Sequence, residues 1–134
     1  MRMSGDLPAE RGGTGDAEEI GEVVRFDVIG HGDNARVLHV VGEIDTLTAP
    51  ILRGRLGEQL AEARLLVLDL TDVTFLGSAG LAVLVAAKDD ADRRQHTLRL
   101  VLGSRIVTRA LEATGLLGLF DIAEGVPQAL EAAG

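Results

Sequence analysis

The run Leu65-Leu66-Val67-Leu68-Asp69-Leu70 is apolar at every position but Asp69. A strand with one face in water alternates apolar and polar residues. A continuous apolar run of strand length belongs to a strand covered on both faces, as in a parallel sheet flanked by helices. That run restricts the chain to an α/β architecture, because parallel neighbours must be joined by crossovers.

The flanking sequence supplies those crossovers. Val24, Phe26 and Val28 alternate with Arg25 and Asp27, which predicts a strand. Gly30-His31-Gly32-Asp33-Asn34 supplies turn residues, and Arg36–Val41 reads as a second strand completing a hairpin. Gly42-Glu43-Ile44-Asp45 ends it. Thr46 and Thr48 are the capping residues of a helix with Pro50 in its first turn. Leu52, Leu56 and Leu60 form its buried stripe, while Gly54 and Gly57 weaken it by up to ~1 kcal/mol each. After Leu65–Leu70, the stretch Thr71–Gly77 reads as a loop and Ser78 to Asp92 as a helix. Thr97–Leu102 is the next strand. Ser104 caps a helix with Ile106, Val107, Ala110 and Leu111 inward, and Gly115 stops it. Leu119–Ile122 is a last short strand and Val126–Ala133 a last helix. The order β-β-α-β-α-β-α-β-α predicts a mixed, mostly parallel sheet of about five strands with about four helices packed on it. The domain spans residues 22–134. Residues 1–21, rich in Gly, Asp and Glu, read as a disordered acidic tail, with a short docking arm as the alternative.

Composition removes several classes of function. The chain carries a net charge of −8 and Lys88 as its single lysine, and only Arg93 and Arg94 adjoin. Phosphate backbones and anionic membrane surfaces are therefore not expected partners. Phe26, Phe75 and Phe120 are the sole aromatics, too few for a base-stacking platform. There is no cysteine, hence no disulfide and no thiolate metal site. The N-terminal residues lack the apolar core of a signal peptide, and the longest apolar run of the domain, Leu81–Ala87, falls far short of the ~20 residues that span a bilayer. A cytoplasmic protein is expected.

Gly30-His31-Gly32-Asp33-Asn34-Ala35 has the letters of a dinucleotide fingerprint, but a strand follows where a helix N-terminus is needed, and no phosphate-binding G-K-S/T occurs. His31, His39 and His96 lie far apart without metal-ligand spacing. Gly77-Ser78-Ala79-Gly80 sits at a strand–helix elbow but departs from the G-x-S-x-G of serine hydrolases. Asp69 and Asp72 could suggest a phospho-receiver, yet the late lysine is missing, and turn chemistry accounts for them. No enzyme activity, cofactor or metal is expected.

The segment Leu68-Asp69-Leu70-Thr71-Asp72-Val73-Thr74-Phe75-Leu76-Gly77-Ser78-Ala79-Gly80-Leu81 is the most informative. Val73, Phe75 and Leu76 are expected to pin the loop to the core, Gly77 to ease the turn, Ser78 to cap the helix, and Gly80 to keep the first helical turn bare for a partner's backbone. This segment resembles the signature of STAS domains, in particular bacterial anti-sigma factor antagonists, in which a strand ending D-L/F-S/T is followed by V-x-F-x-D-S-S/T-G-L. Gly42-Glu43-Ile44-Asp45 resembles that family's G-E-L/I-D, and Leu116-Leu117-Gly118-Leu119-Phe120 its closing segment. The resemblance covers Glu22 to Ala133.

The resemblance implies a regulator that binds an anti-sigma factor of the serine/threonine, histidine-kinase-like ATPase type and so frees a sigma factor. Phosphorylation in the D-S-S/T-G turn would block that binding. The implied partner-binding residues are Glu43, Asp45, Thr46, Gly77, Ser78, Ala79, Gly80, Ala82, Val83 and Ala86. Here Gly77 replaces the aspartate and Ala79 the second hydroxyl, so Ser78 is the one phosphorylation candidate left in the turn. Two readings of Ser78 stay open, a switch or simply a helix cap. The helix Leu81–Lys88, apolar on most sides, either docks a partner or is buried against a neighbouring helix. The alternative function is a STAS adaptor subunit of another assembly, a signalling scaffold or a lipid-transport complex, without a phospho-switch. A monomer or weak homodimer is expected.

Overall fold

The alternation and apolar runs of the sequence become a single mixed sheet. The computed structural model describes residues 17–20 and 24–131. The strands are β1 (Ala17–Ile20), β2 (Val24–His31), β3 (Ala35–Ile44), β4 (Leu65–Leu76), β5 (Thr97–Val101) and β6 (Asp121–Ala123), in that spatial order. β1–β2 and β2–β3 are antiparallel; β3–β4, β4–β5 and β5–β6 are parallel. The helices are α1 (Ala49–Glu62), α2 (Ser78–Arg94), α3 (Arg105–Ala113) and α4 (Val126–Glu131), and a 3-10 turn spans Leu117–Leu119. Five of the six strands and all four helices are those expected. The addition is β1, which lies inside the segment read as a disordered tail. Its backbone pairs with the free edge of β2, from Ala17 opposite Asp27 to Ile20 opposite Val24. Main-chain hydrogen bonds to an open edge do not require apolar side chains, which the hydropathy pattern measures. The rest of that segment lies outside the described residues.

The strand read from Leu65–Leu70 is central and buried on both faces. Leu66, Leu68 and Leu70 join a core with Leu38 and Val40 of β3, Leu52, Leu56 and Leu60 of α1, Leu84 of α2, and Val107 and Leu111 of α3. Leu65 and Val67 point the other way and pack with Ala35, Val37, Val101 and Ala129 of α4. Period two explains the division, since successive side chains leave opposite faces. Hydrophobic burial on both sides takes the apolar residues from Leu65 to Leu70 out of water.

β4 does not stop at Leu70. It continues to Leu76, so the stretch Thr71–Gly77 is strand rather than loop. Two register shifts in the β3–β4 ladder, between His39 and Val41 and between Gly42 and Glu43, absorb the polar residues and bring Glu43 opposite Phe75 and Ile44 opposite Leu76. β3 likewise extends through Gly42-Glu43 to Ile44, where a stop is expected. The end of this strand pair carries two turns, one leading into α1 and one into α2.

Candidate functional site

The turn between β3 and α1 is built by one carboxylate and one hydroxyl. Asp45 Oδ1 accepts from the Leu47 N–H at 2.9 Å and from the Thr48 N–H at 3.0 Å. Thr48 Oγ1 accepts from the Asp45 N–H at 2.9 Å and donates to the Glu43 carbonyl at 2.9 Å. Thr48 occupies the N-cap position of α1, but its side chain makes no capping bond because the turn engages it instead. Thr46 does not cap; it is exposed at the turn's tip. The hydrogen bond from Thr48 N–H, joined by those from Leu47 N–H and the Thr48 hydroxyl, holds the Asp45 carboxyl below its ordinary value, against the opposing effect of desolvation. Asp45 at neutral pH is therefore an acceptor-only anion fixed inside the turn.

The turn between β4 and α2 locks onto the same place. The Gly77 N–H donates to the Ile44 carbonyl at 3.0 Å, and the Leu81 N–H to the Gly77 carbonyl at 3.0 Å. Gly77 is the N-cap, with φ −90° and ψ −179°, a conformation open to any residue. The glycine is thus not required by the turn. Its missing side chain leaves room for the Phe75 ring, since a Cβ there would stand 3.1 Å from Phe75 Cε2. Phe75 does not pin the segment to the core; it is 48% exposed and lies against the start of the helix. Ser78 is the first helical residue, exposed, and α2 has no side-chain cap, so Ser78 is not an N-cap.

Gly80 also differs from expectation. It is buried, and a Cβ on it would meet Leu76 Cδ1 at 2.6 Å and Ile44 Cγ2 at 2.7 Å. Gly80 brings the helix close to the chain's own strands rather than to a partner. Val83, 6% exposed, is likewise a core residue, as are Leu81, Leu84 and Ala87. α2 is therefore apolar on most sides chiefly because it is buried. Of the ten residues expected to bind a partner, Glu43, Thr46, Ser78 and Ala82 are exposed; Asp45, Gly77, Ala79 and Ala86 are half-buried; Gly80 and Val83 are inside. Ala86 lines a shallow cleft of about 420 Å³ between α1 and α2, away from the turns, together with Arg53, Gly57 and Asp89.

Two apolar side chains at this end were missed as surface features. Leu47, between Thr46 and Thr48, is 81% exposed, and Phe75 stands half in water beside Gly77. Isolated exposed leucines are ordinary. Here the exposed Leu47 and Phe75 flank a fixed pair of turns. The signal for Leu47 was present as a lone leucine among turn-forming Asp and Thr residues, where no helical or strand stripe claims it. The first turn of α2 carries no acidic side chain and no side-chain cap, so its peptide N–H groups present positive potential beside Ser78. Glu43 supplies negative charge on the neighbouring strand end.

Two of the three histidines are engaged elsewhere. His39 pairs with Asp72 at 2.8 Å on the strands, and His96 Nδ1 meets the Leu60 carbonyl at 2.7 Å. Among the described residues, no three His, Cys, Asp or Glu side chains gather in a way that could hold a metal ion. No helix of the described residues is long and apolar enough to cross a membrane.

Comparison with known proteins agrees with this geometry. The family model described as "STAS domain" matches residues 26–129. The anti-sigma-B factor antagonist of Listeria monocytogenes is 38% identical over 86 residues, covering 63% of this chain and 75% of that protein. The anti-sigma-B factor antagonist of Bacillus subtilis is 33% identical over 93 residues, 67% of this chain and 83% of its own length. Among solved structures, an anti-sigma factor antagonist from Mycobacterium paratuberculosis superimposes with a TM-score of 0.72 at 30% identity, over 86% of this chain and 97% of that one.

Proposed function

The chain belongs to the STAS domain family, and from that premise we propose that it is an anti-sigma factor antagonist. It binds an anti-sigma factor of the serine/threonine kinase type in the cytoplasm and so releases a sigma factor. The observation that carries this reading is the pair of interlocked turns at one end of the sheet. The Gly77 N–H is tied to the Ile44 carbonyl, leaving Ser78, Thr46 and Glu43 exposed together at that end. The relatives named above, which match across the same region, bear the name of antagonists. Binding, rather than chemistry on a small substrate, suits a surface of exposed turn residues.

Ser78 is the candidate for control. A phosphate there would add about −1.5 to −2 charges to an uncapped helix N-terminus, which the fold tolerates, while an interface fitted to a small hydroxyl would not. One observation favours the second reading, an adaptor without a switch: Gly77 and Ala79 stand where the resemblance calls for a carboxylate and a second hydroxyl. Calorimetric titration of the chain against the anti-sigma kinases of its own genome, followed by ATP and mass spectrometry, separates the two. Binding with phosphate on Ser78 supports the switch. Binding without phosphate leaves an unswitched antagonist, and no binding to any such kinase overturns the proposal.

A further inference from the structure

We infer that Leu47 is the anchor of the partner interface, inserted into an apolar pocket of the anti-sigma factor that carries a cationic side chain opposite Glu43. The inference rests on the antagonist reading and adds to it the residue that supplies most of the affinity. Three observations carry it. Leu47 is 81% exposed, the most exposed of the large apolar side chains among the described residues. Its backbone is immobilised, since its N–H and that of Thr48 both end on Asp45 Oδ1 while Thr48 Oγ1 closes the ring to Asp45 N–H and the Glu43 carbonyl. A side chain presented from such a closed network loses little further backbone freedom on docking, so more of its contact energy appears as affinity.

The third observation is placement. Leu47 lies three residues beyond Ile44, whose carbonyl receives the Gly77 N–H, so the knob stands at the same end as Ser78. Half-exposed Phe75, the register partner of Glu43, stands at the same end of the sheet. Leu47 and Phe75 are apolar, and the charge supplied on the adjoining strand end is the carboxylate of Glu43. A complementary protein surface is therefore an apolar pocket with a basic group at its edge. A polar or acidic partner surface would leave Leu47 in water and Glu43 repelled.

Asp45 acts through this turn as a positioning residue. Asn at that position keeps an oxygen that accepts the two N–H bonds; Ala removes it.

The test measures affinity for the anti-sigma kinase that binds the wild-type chain, with thermal unfolding of each variant in parallel. Leu47→Ser is expected to weaken binding about tenfold or more with the unfolding midpoint unchanged, because the side chain packs on nothing that stabilises the fold. Leu47→Met should retain affinity. Ile29→Ser, at the opposite end of the sheet and 59% exposed, should leave affinity as it is. Asp45→Ala should lose affinity and Asp45→Asn should recover most of it. Glu43→Gln should reduce the salt dependence of binding. Wild-type binding with Leu47→Ser unchanged overturns the anchor while the antagonist reading stands. Failure of the wild-type chain to bind any anti-sigma kinase overturns both.

Discussion

A Cβ on Gly80 would stand 2.7 Å from Ile44 Cγ2. The helix that follows the turn is thereby seated against the strand that forms the other turn. Gly80→Ala should overpack this contact and destabilise the domain by about 1–3 kcal/mol. Urea unfolding measures it; a change near zero would mean that Ile44 and the flexible Leu76 end yield without strain.

Ser78→Asp should separate stability from binding. The uncapped N-terminus of α2 has no acidic residue in its first turn, so a carboxylate there should raise stability by roughly 0.3–1 kcal/mol at low salt. The same variant should weaken binding of the anti-sigma kinase. Denaturation and titration on one preparation check both signs; unchanged affinity would remove Ser78 from the switch.

Gly77→Asp gives α2 the side-chain cap it lacks. Asp exceeds Gly at such a position by only a few tenths of a kcal/mol. The new Cβ would crowd the Phe75 ring at 3.1 Å, and a half-exposed ring can swing outward. Stability should therefore change little, while the Phe75 ring resonances shift in an NMR spectrum. Unmoved resonances would show that the ring does not rest on Gly77.

Asp45 should mark the acid limb of stability. Its folded carboxyl is held below the ordinary value of 3.8, chiefly by the hydrogen bond from Thr48 N–H. A depressed carboxyl contributes stability that is fully present above the ordinary value and is lost as pH falls through the folded one. The pH dependence of unfolding should thus be shallower below about pH 4 for Asp45→Asn than for the wild type. Parallel acid limbs would contradict the role given to the turn.

What the sequence conveyed, and what it concealed, follows from the range of each interaction. The apolar run of β4 and the Leu52–Leu56–Leu60 stripe of α1 are local patterns with one geometric meaning, and both appear as read. The continuation of β4 through Thr71, Asp72 and Thr74 depends on a register-shifted ladder with β3, a non-local pairing that polar residues disguise as a loop. The roles of the turn residues were inverted for a related reason. A glycine and an aromatic in a turn suggest freedom and anchoring, respectively. Gly80 is instead a packing residue fixed by Ile44 and Leu76, and Phe75 is half in water, with its ring in the space that Gly77 leaves at the helix start. Thr48 read as a cap from its type, and it does hold the N-cap position, but its hydroxyl bonds Glu43 and Asp45. Leu47 gave no periodic signal; its one mark in the sequence is a leucine standing alone among turn-forming residues, and its exposure gives that mark its meaning.

The most direct measurement of the central claim is reconstitution of three components: this chain, the kinase-type anti-sigma factor of its genome, and the sigma factor that the latter holds. Added to the preformed anti-sigma–sigma complex, the wild-type chain should bind the anti-sigma factor and raise the fraction of free sigma factor in proportion to its concentration. A sigma factor that stays bound at saturating chain would contradict the account.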